Sequence, residues 1–216
     1  MSVMFHGFRE LSPGIYVDKE YEGDTYIILK RINAAKARHS EFWGEVKSNP
    51  TIIITDDEKK IARLGGDHNA YTIAVFAVRT YISLSSSWIN VDVIAHELTH
   101  AETHYRVFHG LISFKRPIPV WFDEGLALQN DTRERYGDTA WIYATDYTRK
   151  KVDLDAINGE EFYEGTEKEV LYNYIVSRYE VKKWITENGI EALKTLLEEI
   201  RRGGDFNTLY NKNKQE

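Results

Sequence analysis

The chain has no cysteine among its 216 residues. Disulfides are therefore excluded, and so are thiolate ligands for a metal. Lys and Arg form no dense run, and the formal net charge is −6, which disfavours nucleic acid and anionic membranes as partners. No stretch approaches the roughly 18 consecutive apolar residues of a spanning helix. The opening residues MSVMFHGFRELSPG have neither the basic n-region nor the apolar core of a signal peptide, so a cytoplasmic location is expected. Internal repeats and low-complexity segments are also lacking. What is present is a hydrophobic fraction of 42%, with 13% aromatic residues, enough for a real core. The length suits one domain with two lobes, here expected at 1–108 and 109–216.

Histidine is scarce too, 7 in the whole chain, yet two stand together in His96-Glu97-Leu98-Thr99-His100. Four residues turn a helix by about 400°, so both imidazoles point the same way. Such a pair can hold one zinc ion, and the glutamate beside the first can reach a water on it. The surrounding residues predict a helix over about 91–108, capped by Asn90. Val91, Ile94, Leu98, Ala101, Tyr105 and Phe108 form one stripe that should face a core, and the histidines lie nearly opposite. The expected setting is a helix between a core and a cleft. His104 continues the series, but three histidines on one straight helix cannot all reach one tetrahedral ion well. It reads as a rim or hydrogen-bonding residue.

Two histidines need a further protein ligand. The metzincin pattern would continue the helix with a glycine and then a third histidine, at the positions where this chain has Thr103 and Arg106, so that class is excluded. The stretch Trp121-Phe122-Asp123-Glu124-Gly125-Leu126-Ala127 offers Glu124, on a helix that Pro119 can open. Gly125 lets two helices approach closely, as a ligand reaching toward the first helix requires. Asp123 competes: one residue of slip rotates a side chain by about 100°, so one of the two binds. With a zinc ion as cofactor, water becomes a nucleophile near neutral pH and Glu97 can serve as general base.

HELTH followed by Pro119-Val120-Trp121-Phe122-Asp123-Glu124-Gly125-Leu126-Ala127 resembles the gluzincin metallopeptidases, which include thermolysin and aminopeptidase N. It is most similar to the short peptidase MA-like domains, with their Pro-x-Trp-x-x-Glu-Gly-x-Ala segment. Tyr174-Ile175-Val176-Ser177 and the run to Gly189 resemble the downstream Tyr-x-x-Ser helix of those domains. The likeness covers about residues 80–212. It implies a thermolysin-like fold, His96, His100 and Glu124 as zinc ligands, Glu97 as base and then proton shuttle, and Tyr174 as the phenol that hydrogen-bonds the tetrahedral oxyanion. A phenol is protonated at neutral pH and can donate there. No Gly-x-Met-Glu-Asn-like stretch precedes the motif, so endopeptidase rather than aminopeptidase action is expected, on peptide or protein substrates. The alternative from another class is a catalytically silent zinc-binding recognition module.

Periodicity places strands at 15–18, 51–55, 71–78 and 80–85, a long helix over 23–47 with Ile28, Ile32, Ala35, His39 and Phe42 near one face, and a short charged helix over 56–64. Residues 65–69 read as a turn and 110–118 as a loop. An irregular polar stretch over 130–166 suggests a cleft wall or lid, with Trp141, Tyr143 and Tyr147 as surface packing. Helices follow at 167–187, 190–202 and 205–212. Strands before the zinc helix and helices after it make an α+β protein. The strand 81–85 is expected at the sheet edge along the cleft, where Ser83, Leu84 and Ser85 would bind an extended peptide through main-chain pairing.

Overall fold

The structure is a computed structural model that describes residues 7–64, 70–75, 79–108 and 116–212. The 65–69 turn and most of the 110–118 loop lie outside these residues. The architecture is α+β, and the chain divides into two compact units, Met1–Tyr105 and Arg106–Glu216.

The first unit is built on a mixed five-stranded sheet: β1 (Phe8–Ser12), β2 (Ile15–Asp18), β3 (Thr51–Ile54), β4 (Ala70–Val75) and β5 (Arg79–Leu84), in the order β1-β2-β3-β5-β4. The outer pairs β1/β2 and β4/β5 are antiparallel, while β2/β3 and β3/β5 are parallel. Side-chain alternation divides the strands' apolar residues between two faces. Ile15, Val17, Ile52, Ile54, Ile82 and Leu84 pack with Ile28, Ile32 and Ala35 of α1 (Thr25–Trp43) and with Val93, Ile94, Ala95, Leu98 and Ala101 of α3 (Val91–Val107). Phe8, Ile53 and Tyr81 cluster with Leu64, just past α2 (Glu58–Arg63).

Local chemistry sets the helix ends. Asp24 accepts from the amides of Tyr26 and Ile27 at the start of α1, and Gly44 ends the helix at φ 68°, a backbone conformation that suits glycine. The buried face of α1 runs Ile28, Ile32, Ala35, His39, Trp43. Trp43 therefore takes the place expected of Phe42, since the last i+4 step reaches it from His39. In α3 the expected Asn90 cap is present, its Oδ1 accepting from Val93 N at 2.9 Å. The apolar stripe of α3 ends at Ala101, because Tyr105 is exposed.

The expectation for the substrate strand is overturned. β5 is hydrogen-bonded on both sides, to β3 and to β4, so it has no free row of donors and acceptors. Ser83 and Leu84 are buried and Ser85 lies beyond the strand end. The edge is β4. Both strands carry the same β-type pattern, and pattern alone does not order strands within a sheet.

The second unit is helical: α4 (Val120–Ala127), α5 (Asp138–Ala144), α6 (Glu167–Asn188), α7 (Ile190–Arg201) and α8 (Phe206–Lys212). The 130–166 stretch is not simply irregular. It contains α5 and short 3-10 turns at Glu134–Tyr136, Asp155–Ile157 and Glu160–Tyr163. Trp141 of α5 stacks on Tyr179 of α6 at 3.6 Å, whereas Tyr143 and Tyr147 are exposed. Around α8, the rings of Trp121, Phe122, Trp184, Phe206 and Tyr210 pack edge-on and stacked. A capping box between Thr166 and Glu169 starts α6. Among the described residues no helix is long and apolar enough to cross a membrane.

Candidate metal centre

α3 carries the histidines as its periodicity dictates. The Nε2 atoms of His96 and His100 lie 3.1 Å apart, their rings 4.8 Å apart and nearly perpendicular. Two zinc–nitrogen bonds of about 2.05 Å meeting at a tetrahedral angle would put the nitrogens about 3.3 Å apart. The pair is thus already close to the spacing that a shared ion requires. Apolar packing on the sheet side fixes the helix that presents them.

Glu97 is buried and is held by β4. The Thr72 hydroxyl lies 2.7 Å from Glu97 Oε2 and 3.0 Å from the Glu97 carbonyl oxygen. The register Thr72↔Ile82 puts this residue on the helix-facing side of the sheet, beside Ile82 of the core. A hydroxyl that donates to one carboxylate oxygen leaves the other available as a proton acceptor. Further along α3, buried Glu102 accepts from the backbone amides of Lys47 and Ser48, at 3.1 and 2.7 Å. This ties the helix to the segment between α1 and β3.

In the second unit Glu124 sits on α4, a helix buried at nearly every position. Glu124 itself is only 6% exposed, so it is no ordinary solvated helix carboxylate. Its Oε1 accepts from the Tyr163 hydroxyl at 2.5 Å. Burial and the neighbouring Glu124 charge push the Tyr163 phenol well above its ordinary range, so it stays protonated as a donor. Gly125 is required by close packing, but the helix it admits is α6, where the sequence suggests the histidine helix. A Cβ there would fall 2.4 Å from Ser177 O and 2.8 Å from Val181 Cγ2. Gln129 reinforces the join, donating to Gly125 O at 2.7 Å and Arg178 O at 3.1 Å. The Tyr-x-x-Ser turn of α6 thus supplies Ser177 against Gly125. One turn away Tyr174, partly buried, packs its ring against Tyr136 and Phe162.

Among the described residues, two groups of side chains could hold a metal ion: His96, His100 and Glu124, and His100, His104 and Asp123. The His96 and His100 rings are 4.8 Å apart, closer than the His100 and His104 rings at 6.0 Å. The donors of the first group, two imidazoles and one carboxylate, suit zinc. Ser83, Leu84 and Ser85, expected at the substrate, belong instead to an interior strand and its end. Thr72 and Tyr163 escaped the sequence reading. They lie 25 and 39 residues from the carboxylates they touch, and no spacing rule links residues across such distances. Comparison with protein-family models, with curated proteins and with solved structures gives no match.

Proposed function

We propose that this chain is a zinc-dependent metallopeptidase of the gluzincin type that cuts within peptide chains. The observation that carries the reading is the His96–His100 pair at 3.1 Å, with a Glu124 ligand atom in the same group and the buried carboxylate of Glu97 beside the first histidine. A zinc ion held by His96, His100 and Glu124 would polarise the scissile carbonyl and bring the pKa of water from about 16 toward 7. The chain's own residues then manage the protons. Glu97 accepts one from the attacking water at a carboxylate oxygen and returns it to the leaving amine nitrogen as the C–N bond breaks. Thr72 holds the other oxygen, so the base keeps one orientation through both transfers. Tyr174 is assigned as donor to the oxyanion. The outer edge of β4 is the place for an extended substrate to add as a strand, since Thr72 of that strand touches the base.

The test is Glu97→Gln against wild type, each loaded with zinc, on a mixed-sequence peptide pool read by mass spectrometry. The expected result is one zinc per chain in both proteins, with internal cuts from wild type alone. Equal cutting by the variant would refute the mechanism. No cutting by a zinc-loaded wild type would turn the reading toward a silent recognition module.

A further inference from the structure

We infer that Tyr163 is a positioning residue for the metal: its hydroxyl fixes the Glu124 carboxylate so that one oxygen is kept for the ion. This rests on the reading of Glu124 as a metal ligand and adds to it a residue that none of the sequence motifs contains. Tyr163 ends the 3-10 turn Glu160–Tyr163, and its hydroxyl reaches Glu124 Oε1 at 2.5 Å. The residue is 41% exposed overall, so it is not placed by burial of its ring alone. The donor is aimed by its surroundings. Phe162, beside it, is fully buried and meets the Tyr174 ring edge-on at 4.9 Å. Asn173 Nδ2 donates to Phe162 O at 2.8 Å, fixing the backbone of the turn to α6. The same segment also grips the start of α4, since Val120 N donates to Asn158 O at 2.9 Å and Trp121 Nε1 to Asn158 Oδ1 at 3.0 Å.

The segment 158–163 therefore holds α4 at Val120 and again at Glu124. A carboxylate free to rotate can offer an ion either oxygen, or both. A phenol on Oε1 removes that freedom and commits Oε2. It is also a neutral donor, so it steadies the ligand without adding charge. Outer-shell hydrogen bonds of this kind commonly govern metal affinity by about 10- to 100-fold.

The experiment is a thermodynamic cycle on zinc affinity, measured by competition with a chromophoric chelator in wild type, Tyr163→Phe, Glu124→Gln and the double variant. Tyr163→Phe keeps the ring and its contact with Phe162. The expected result is a loss of roughly 10- to 100-fold in affinity for Tyr163→Phe, with little further loss when it is added to Glu124→Gln. The visible spectrum of the cobalt-substituted protein should shift in Tyr163→Phe and stay unchanged in Tyr147→Phe, which alters an exposed phenol. If Tyr163→Phe weakens zinc equally in both backgrounds, the effect comes from general damage to the fold, and the positioning role is refuted. Unchanged affinity and spectrum would refute it as well. Failure of wild type to bind one zinc would overturn the metal reading itself, a distinct outcome.

Discussion

Gly125→Ala should destabilise the protein even though alanine is the better helix former. The added methyl carbon would lie 2.4 Å from Ser177 O, 2.7 Å from Ser177 C and 2.8 Å from Val181 Cγ2. Ordinary contact begins near 3.4 Å, so α4 and α6 would have to separate by about 1 Å at this point. Two of the three obstacles are backbone atoms in the middle of α6, which cannot swing away as a side-chain tip can. Overpacking of this sort costs about 1–3 kcal/mol, and an atom against backbone belongs at or above the top of that range. Replacing glycine inside a helix returns about 1 kcal/mol. The net loss is about 2 kcal/mol, which for a chain of this size lowers the melting midpoint by about 4–8 °C. Thermal and urea unfolding of the zinc-free protein, in chelator, read it directly. The separation also moves the backbone next to Glu124, so metal affinity should fall in parallel. A variant more stable than wild type by about 1 kcal/mol would mean that helix propensity acts alone. The close approach of α4 to α6 would then be refuted.

Two further perturbations test the first unit. Burial alone would raise the Asp18 carboxyl, but hydrogen bonds from Glu20, from the Lys60 ammonium at 2.7 Å and from the Thr55 hydroxyl at 2.9 Å hold it at about 2, below its ordinary 3.8. The folded-state value is depressed, so the stabilisation is present above pH 3.8 and is lost as pH falls toward 2. It amounts to about 2 kcal/mol. Asp18→Asn should be less stable than wild type at pH 5 by urea unfolding, with the gap closing by about pH 2; a gap that stays constant would refute the assignment. Glu102→Gln should cost about 1–2 kcal/mol, because a neutral amide replaces a buried carboxylate that accepts from the Lys47 and Ser48 amides. No change in urea midpoint would mean that those bonds contribute nothing.

What could be read from the sequence is what depends on neighbours within a turn or two. The facing of His96 and His100, the Asn90 cap, the start of α6 near Thr166 and the apolar face of α1 all follow from helical periodicity. Where a prediction slipped by a residue, as with Phe42 for Trp43, the i+4 step from His39 decided it. The position of β5 was not legible in this way. Residues 71–78 and 80–85 both read as strands, and the order of β4 and β5 depends on pairing with β3, which lies more than 20 residues earlier than β5 in the chain. The short elements between 130 and 166 were hidden for a related reason. α5 has seven residues, too few for apolar periodicity to emerge from a polar background.

The candidate site divides along the same line. His96, Glu97 and His100 stand at fixed local spacings, because one helix presents them together. The residues that orient them are under no such constraint. Any donor that the fold brings within about 3 Å of Glu97 or Glu124 would serve, from any element and at any sequence distance. In this chain those donors are Thr72, on an edge strand, and Tyr163, at the end of a 3-10 turn. Tyr163 is one of 14 tyrosines, and nothing about its flanking residues sets it apart. Its role becomes visible only once Asn173 and Phe162 are seen to hold the turn against α6. The same reasoning explains why Gly125 could be singled out early while the sequence pointed to the histidine helix as its neighbour. A glycine beside a buried carboxylate signals close packing, but only the fold reveals that Ser177, 52 residues further on, is the backbone it makes room for.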